Sequence, residues 1–125
     1  MTTARRRFSK QEILDKTSVA FGTTPKWHSY VAVPNAHRFA TYFEENISFS
    51  GADFFAQFKE YDLIISVFYR NEMLADDFKK ELVFEDLMRP MGHFSKNCGY
   101  TDNKDKLYYT QYIFNLKEPI PTTEE

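Results

Sequence analysis

The stretch Tyr61-Asp-Leu-Ile-Ile-Ser-Val-Phe-Tyr-Arg70 limits what this chain can fold into more than any other. Tyr61, Leu63, Ile65, Val67 and Tyr69 recur at every second position, the spacing that lines one face of a β-strand. Between them stand Asp62, Ile64, Ser66, Phe68 and Arg70, a set of mixed character. The run therefore calls for a sheet with one face packed inward and the other only partly covered.

Neighbouring segments supply further strands. In His37-Arg-Phe-Ala-Thr-Tyr-Phe-Glu-Glu-Asn46, Phe39, Thr41 and Phe43 alternate with Ala40, Tyr42 and Glu44, so aromatics fall on both faces. Ser50-Gly-Ala-Asp53 has turn chemistry, with Gly51 free to take positive φ. Towards the C-terminus, GHFSKNCGY, a turn at 101–104 and DKLYYTQYIFNLKE read as a hairpin. Its second strand sets Tyr108, Tyr112, Phe114 and Leu116 on one face and Leu107, Tyr109 and Ile113 on the other.

Two segments read as helices. In residues 8–17, Ser9 can accept from the Glu12 amide while the Glu12 side chain reaches back to Ser9, and Phe8 can staple to Ile13. Gly22, Pro25 and Pro34 then break the chain, leaving VAFG and WHSYVAV as brief extended pieces or loop. ADDFKKELVFEDLMRPMG reads as the second helix, with Asp76 as N-cap and a stop at Arg89-Pro90. It is apolar on three sides, through Phe78 and Leu82, Val83 and Leu87, and Phe84 and Met88, so it needs cover on several sides. The expectation is an α+β domain with a mainly antiparallel sheet of four to five strands and two helices packed on one face. With 125 residues a single domain, 1–125, is expected, with a flexible basic arm over 1–8 and a polar tail over 118–125.

Composition excludes more than it selects. A net charge of −2 gives no field that draws nucleic acid, and the basic cluster Arg5-Arg6-Arg7 is short. The lysines beside Tyr108, Tyr109 and Tyr112 are cancelled by Asp102, Asp105 and Glu118, so a base-stacking platform is not indicated. The single Cys98 cannot form an internal disulfide, which fits a reducing compartment. No apolar run follows the arginines, so no secretory leader is expected, and no stretch nears the ~18 apolar residues of a membrane span. His28, His37, His93 and Cys98 fall at no metal-ligand spacing. Glu44-Glu45 and Asp76-Asp77 read as solvated surface and helix-start acids, and no phosphate loop, nucleophile elbow or dinucleotide fingerprint occurs. Neither an enzyme nor a cofactor is expected. The unusual feature is an aromatic content of 18%, more rings than a small core needs, which points to assembly interfaces.

The order of these signals resembles the tail-completion, or tail-terminator, proteins of long-tailed bacteriophages. The matching pieces are Val19-Ala-Phe-Gly22, Val33-Pro34, the aspartate turn Phe49-Ser-Gly-Ala-Asp53, the long strand Tyr61–Tyr69 and Leu107-Tyr-Tyr-Thr-Gln-Tyr-Ile-Phe114, spanning 9–117. Departures are the long, polar segment 22–35 and the unusually apolar second helix. The resemblance implies a virion protein, made in the host cytoplasm, whose copies close into a ring, sixfold in that family's manner, on the head-proximal end of the tail tube. Its partners would be its own copies, the tail tube protein and the head connector, with DNA passing only transiently and no membrane. A closing ring needs two different complementary patches per subunit. The candidates are Phe49, Asp53, Phe55 and Phe58 in the phenylalanine-rich turn and Phe84 and Met88 on the second helix. Alternatives are a small phage-encoded inhibitor that binds a host protein, or a head-completion connector protein.

Overall fold

The computed structural model describes residues 8–27, 36–51, 58–101 and 106–120. The chain runs through α1 (Lys10–Phe21), β1 (Lys26–Trp27), β2 (Arg38–Ser50), β3 (Phe58–Arg70), α2 (Ala75–Met88), a 3-10 turn (Arg89–Met91), β4 (Ser95–Thr101) and β5 (Leu107–Pro119). The five strands form one sheet in the order β1-β2-β3-β5-β4. Its one parallel pair is β1 with β2, and the other pairs are antiparallel. The fold is α+β, with both helices on the same face of the sheet.

The alternation in β3 sets that layering. Tyr61, Leu63, Ile65, Val67 and Tyr69 are all fully buried. Cross-strand pairing joins them to Ala40 and Tyr42 of β2 and to Tyr112, Phe114 and Leu116 of β5. Phe8, Ile13, Leu14, Ala20 and Phe21 from α1 and Phe84 and Met88 from α2 close over this surface as a single core. The opposite face carries Phe39, Phe68 and Tyr109 in one cross-strand row, with Phe39 stacked on Phe68 at a centroid distance of 4.9 Å. No described helix covers it.

α1 starts as its sequence dictates: Ser9 and Glu12 form both halves of a capping box, and Phe8 and Ile13 are buried. Phe8 is thus core rather than arm, and 1–7 lie outside the described residues. The helix runs on through Val19, Ala20 and Phe21 instead of stopping at 17. Ala20 and Phe21 complete its buried stripe, and Gly22, at φ 69°, caps it by donating to the Ser18 carbonyl at 2.9 Å. At the other end, Glu118 and Pro119 belong to β5 and not to a tail, because they pair with Lys59 and Phe58.

β2 and β3 pair almost to their ends, around a bulge. Between Glu45 and Ser48 the register shifts by one residue, and Asn46 takes φ 53°. The Asn46 side chain donates to Asp62 at 2.8 Å. A one-residue slip exchanges the faces of everything beyond it. Phe49, paired with Lys59, therefore lies on the helix side of the sheet.

Candidate functional site

The six expected interface residues do not form one patch. Phe49 is 69% exposed near the far end of β2. Phe58 is half-buried at the start of β3, with the Lys117 ammonium 4.9 Å above its ring. Asp53 and Phe55 lie outside the described residues. Phe84 and Met88 are corrected: both are fully buried. Phe84 meets Phe21 at 5.5 Å and Tyr112 at 4.9 Å between ring centroids, so its apolar surface is spent inside the subunit.

α2 carries an unusual division of labour. Its inward stripe is Asp77, Glu81, Phe84 and Met88, while Phe78, Leu82 and Val83 are 53%, 66% and 49% exposed. The acids face the sheet because the sheet offers donors. Asp77 Oδ2 lies 2.7 Å from His37 Nε2 and accepts the Leu74 amide at 2.8 Å, while Oδ1 accepts from Arg38 at 2.6 Å. Burial works to raise the Asp77 carboxyl, but His37, the Leu74 amide and Arg38 outweigh it and hold it below the usual carboxylate range. The N-cap of α2 is Leu74 rather than Asp76, and the first turn is tied by Asp77 reaching back to it.

One turn on, Glu81 Oε2 accepts from the Tyr69 and Thr110 hydroxyls, each at 2.7 Å, and its Oε1 lies 3.1 Å from the Lys96 ammonium. Glu85 takes the same lysine at 3.0 Å and the Tyr112 hydroxyl at 3.1 Å. Burial, reinforced by Glu81, pushes the Tyr69 hydroxyl far above the ordinary phenol range. Burial, with Glu81 and Glu85, does the same to Tyr112. Burial opposes the charge of Lys96, yet the two carboxylates raise its ammonium above the usual value. The seam is a filled network of donors and acceptors, and it locks α2 onto β2, β3, β4 and β5.

This arrangement ties α2 to the sheet. Asp77, expected from its position to be a solvated helix-start acid, is buried instead. The missed signal was spacing: Asp77, Glu81 and Glu85 recur every four residues on the stripe that continues into Phe84 and Met88. Glu44, expected as solvated surface, likewise joins its carboxylate to Lys10 of α1 at 3.1 Å and to Lys59 of β3. Burial opposes its ionisation, and the two lysines more than offset that and keep its carboxyl low.

A depression of about 750 Å³ lies between the start of α1 and the end of β5, beside Ser9, Lys10, Glu60, His93, Lys117 and Glu118. Lys10 and Lys117 stand with Glu60 and Glu118 in its lining. Among the described residues no group of three His, Cys, Asp or Glu side chains could hold a metal ion. No helix among them is long and apolar enough to cross a membrane.

The large apolar side chains that stand exposed fall in separate places. Leu74, Phe78 and Leu82 line one flank of α2, and Tyr100 and Tyr108, with rings 4.6 Å apart, stand at 43% and 38% exposure. Ile47 and Phe49 stand exposed on the far half of β2. The comparisons with known proteins add no name to these surfaces: no protein-family model and no curated protein sequence matches the chain.

Proposed function

We propose that this chain is a structural protein of a long-tailed bacteriophage whose copies close into a ring at the head-proximal end of the tail tube and meet the head connector. The sequence resemblance supports the role. The observation that carries it is the separation of two exposed apolar surfaces, Ile47 and Phe49 on the far half of β2 and Phe78, Leu82 and Val83 on α2. Asp77, at the start of α2, binds residues 37 and 38, which stand beside the Tyr69 end of β3, whereas Phe49 stands beside Lys59. From there α2 runs toward the middle of the sheet, where Phe84 meets Phe114 opposite Leu63, and Phe49 lies beyond it on β2. Both surfaces stand exposed in the single subunit, so neither covers the other. A head-to-tail contact, repeated until it closes, covers both.

In this reading the chain performs no covalent chemistry, and its partners are its own copies, the tube protein and the head connector. The test mixes purified protein with tail tubes and images them by negative-stain electron microscopy. The wild-type chain should sit as a ring at one end of each tube. Phe49→Ser should lose end binding while changing subunit stability by no more than about 0.5 kcal/mol, as for an exposed side chain. A chain that ignores tubes and instead binds one host enzyme tightly as a monomer would overturn the reading. A ring found only on isolated head connectors would move it to the head side of the joint.

A further inference from the structure

We propose that β4, an edge strand of the sheet among the described residues, is the pairing surface of a two-fold homodimer that exists independently of any ring. Among the described residues, β4 pairs on one side only, with β5. Native edge strands are usually blunted by proline, a bulge, an outward charge or shortness. β4 has neither proline nor bulge over Ser95–Thr101: its seven residues keep an unbroken register with β5, and Lys96 is its single charge. That charge is turned onto α2, where Glu81 and Glu85 hold it. The edge is thus a regular, neutralised row of backbone donors and acceptors.

Beside it lies an apolar shelf. Glu85 reaches Lys96 of β4, and Phe78 and Leu82 share the helix stripe of Glu85 at spacings of seven and three residues. Both therefore lie on the flank of α2 that overlooks β4. On the same side of the sheet, Tyr100 of β4 and Tyr108 of β5 pair across the ladder. Leu74, Phe78, Leu82, Tyr100 and Tyr108 are each between 38% and 66% exposed. At roughly 100 Å² apiece for half-exposed large side chains they offer about 500 Å² of mostly apolar surface per copy. Adding the β4 edge brings this near the ~800 Å² per partner of a standard interface.

A second copy is the occupant that covers both features at once. Antiparallel pairing of β4 with its symmetry mate, centred on Cys98, aligns all seven residues. It sets Lys96 opposite Tyr100 of the second copy and Asn97 opposite Gly99, and opposes no like charges. The same two-fold axis brings the two α2 shelves together above the joined sheet. A foreign strand would satisfy the backbone edge but would bring no matching helix. Because the dimer covers Phe78 and Leu82, it and the ring contact are alternative uses of one surface.

Sedimentation velocity and dilution-series hydrogen exchange on the full chain test this. At about 50 μM the wild type should be a dimer, and Leu82→Glu should weaken association about tenfold or more. Exchange at Asn97–Tyr100 should speed up on dilution, and mild oxidation should trap a Cys98–Cys98 link in the wild type. Phe78→Ser is the second variant, and an unchanged urea midpoint of the dilute protein shows that either variant is folded. A wild type that stays monomeric at that concentration, a dimer indifferent to both variants, or a dimer without protection at β4 overturns the inference. Tube-capping by such a chain would leave the ring reading standing.

Discussion

Gly99 sits opposite Tyr109 in the β4–β5 ladder, and a methyl group built on it would overlap the Tyr109 hydroxyl and ring. The tyrosine lies across the glycine and extends the aromatic row of Phe39 and Phe68 to the edge of the sheet. Gly99→Ala should therefore cost about 1–3 kcal/mol, the usual penalty for overpacking. In a Tyr109→Ala background the same change should stabilise by roughly 0.5–1 kcal/mol, since alanine suits a strand better than glycine. Urea unfolding of the four proteins of the cycle checks the sign reversal. Phe49 makes a related point. Its face depends on a one-residue bulge at Asn46, and nothing in the alternation of 38–45 announces that shift.

At the scale of the element, α2 is decided by what lies beneath it. A helix with acids on its buried stripe is stable only where the sheet supplies Arg38, His37, Tyr69, Thr110 and Lys96 at the right heights. The low carboxyl of Asp77 makes this a pH-dependent clasp. A group whose folded value is depressed adds stability above its unfolded value, near 4, and that stability is lost as pH falls through the folded value. Urea midpoints measured from pH 7 down to pH 3 should fall more steeply for the wild type than for Asp77→Asn. Equal slopes would show that the clasp carries no linkage. The two sides of the helix should also separate cleanly. Phe84→Ala, in the core, should cost about 3–5 kcal/mol. Leu82→Ser should leave the melting of the dilute subunit within about 0.5 kcal/mol of the wild type. A large cost at Leu82 in dilute protein would mean that its exposed flank is covered within the subunit.

For the whole molecule, the layering was legible because it rests on periodicity. Five residues of β3 at period two, matched by β2 and β5, define one buried face before any contact is known. The capping box of α1 and the stop after Met88 are equally local, since each needs only neighbours within a turn. The candidate site was harder to read because an apolar residue looks the same whether it faces the core or a partner. Phe84 and Leu82 stand two positions apart on one helix, yet one is fully buried and the other 66% exposed. The sequence by itself determined which segments alternate, where the first helix begins and that aromatics exceed the needs of one core. The tertiary structure alone decided which face of α2 turns inward, which side of the sheet Phe49 occupies and which strand is left at the edge. Those outcomes depend on donors and partners brought together from segments far apart in the chain. Local spacing carries no information about such pairings.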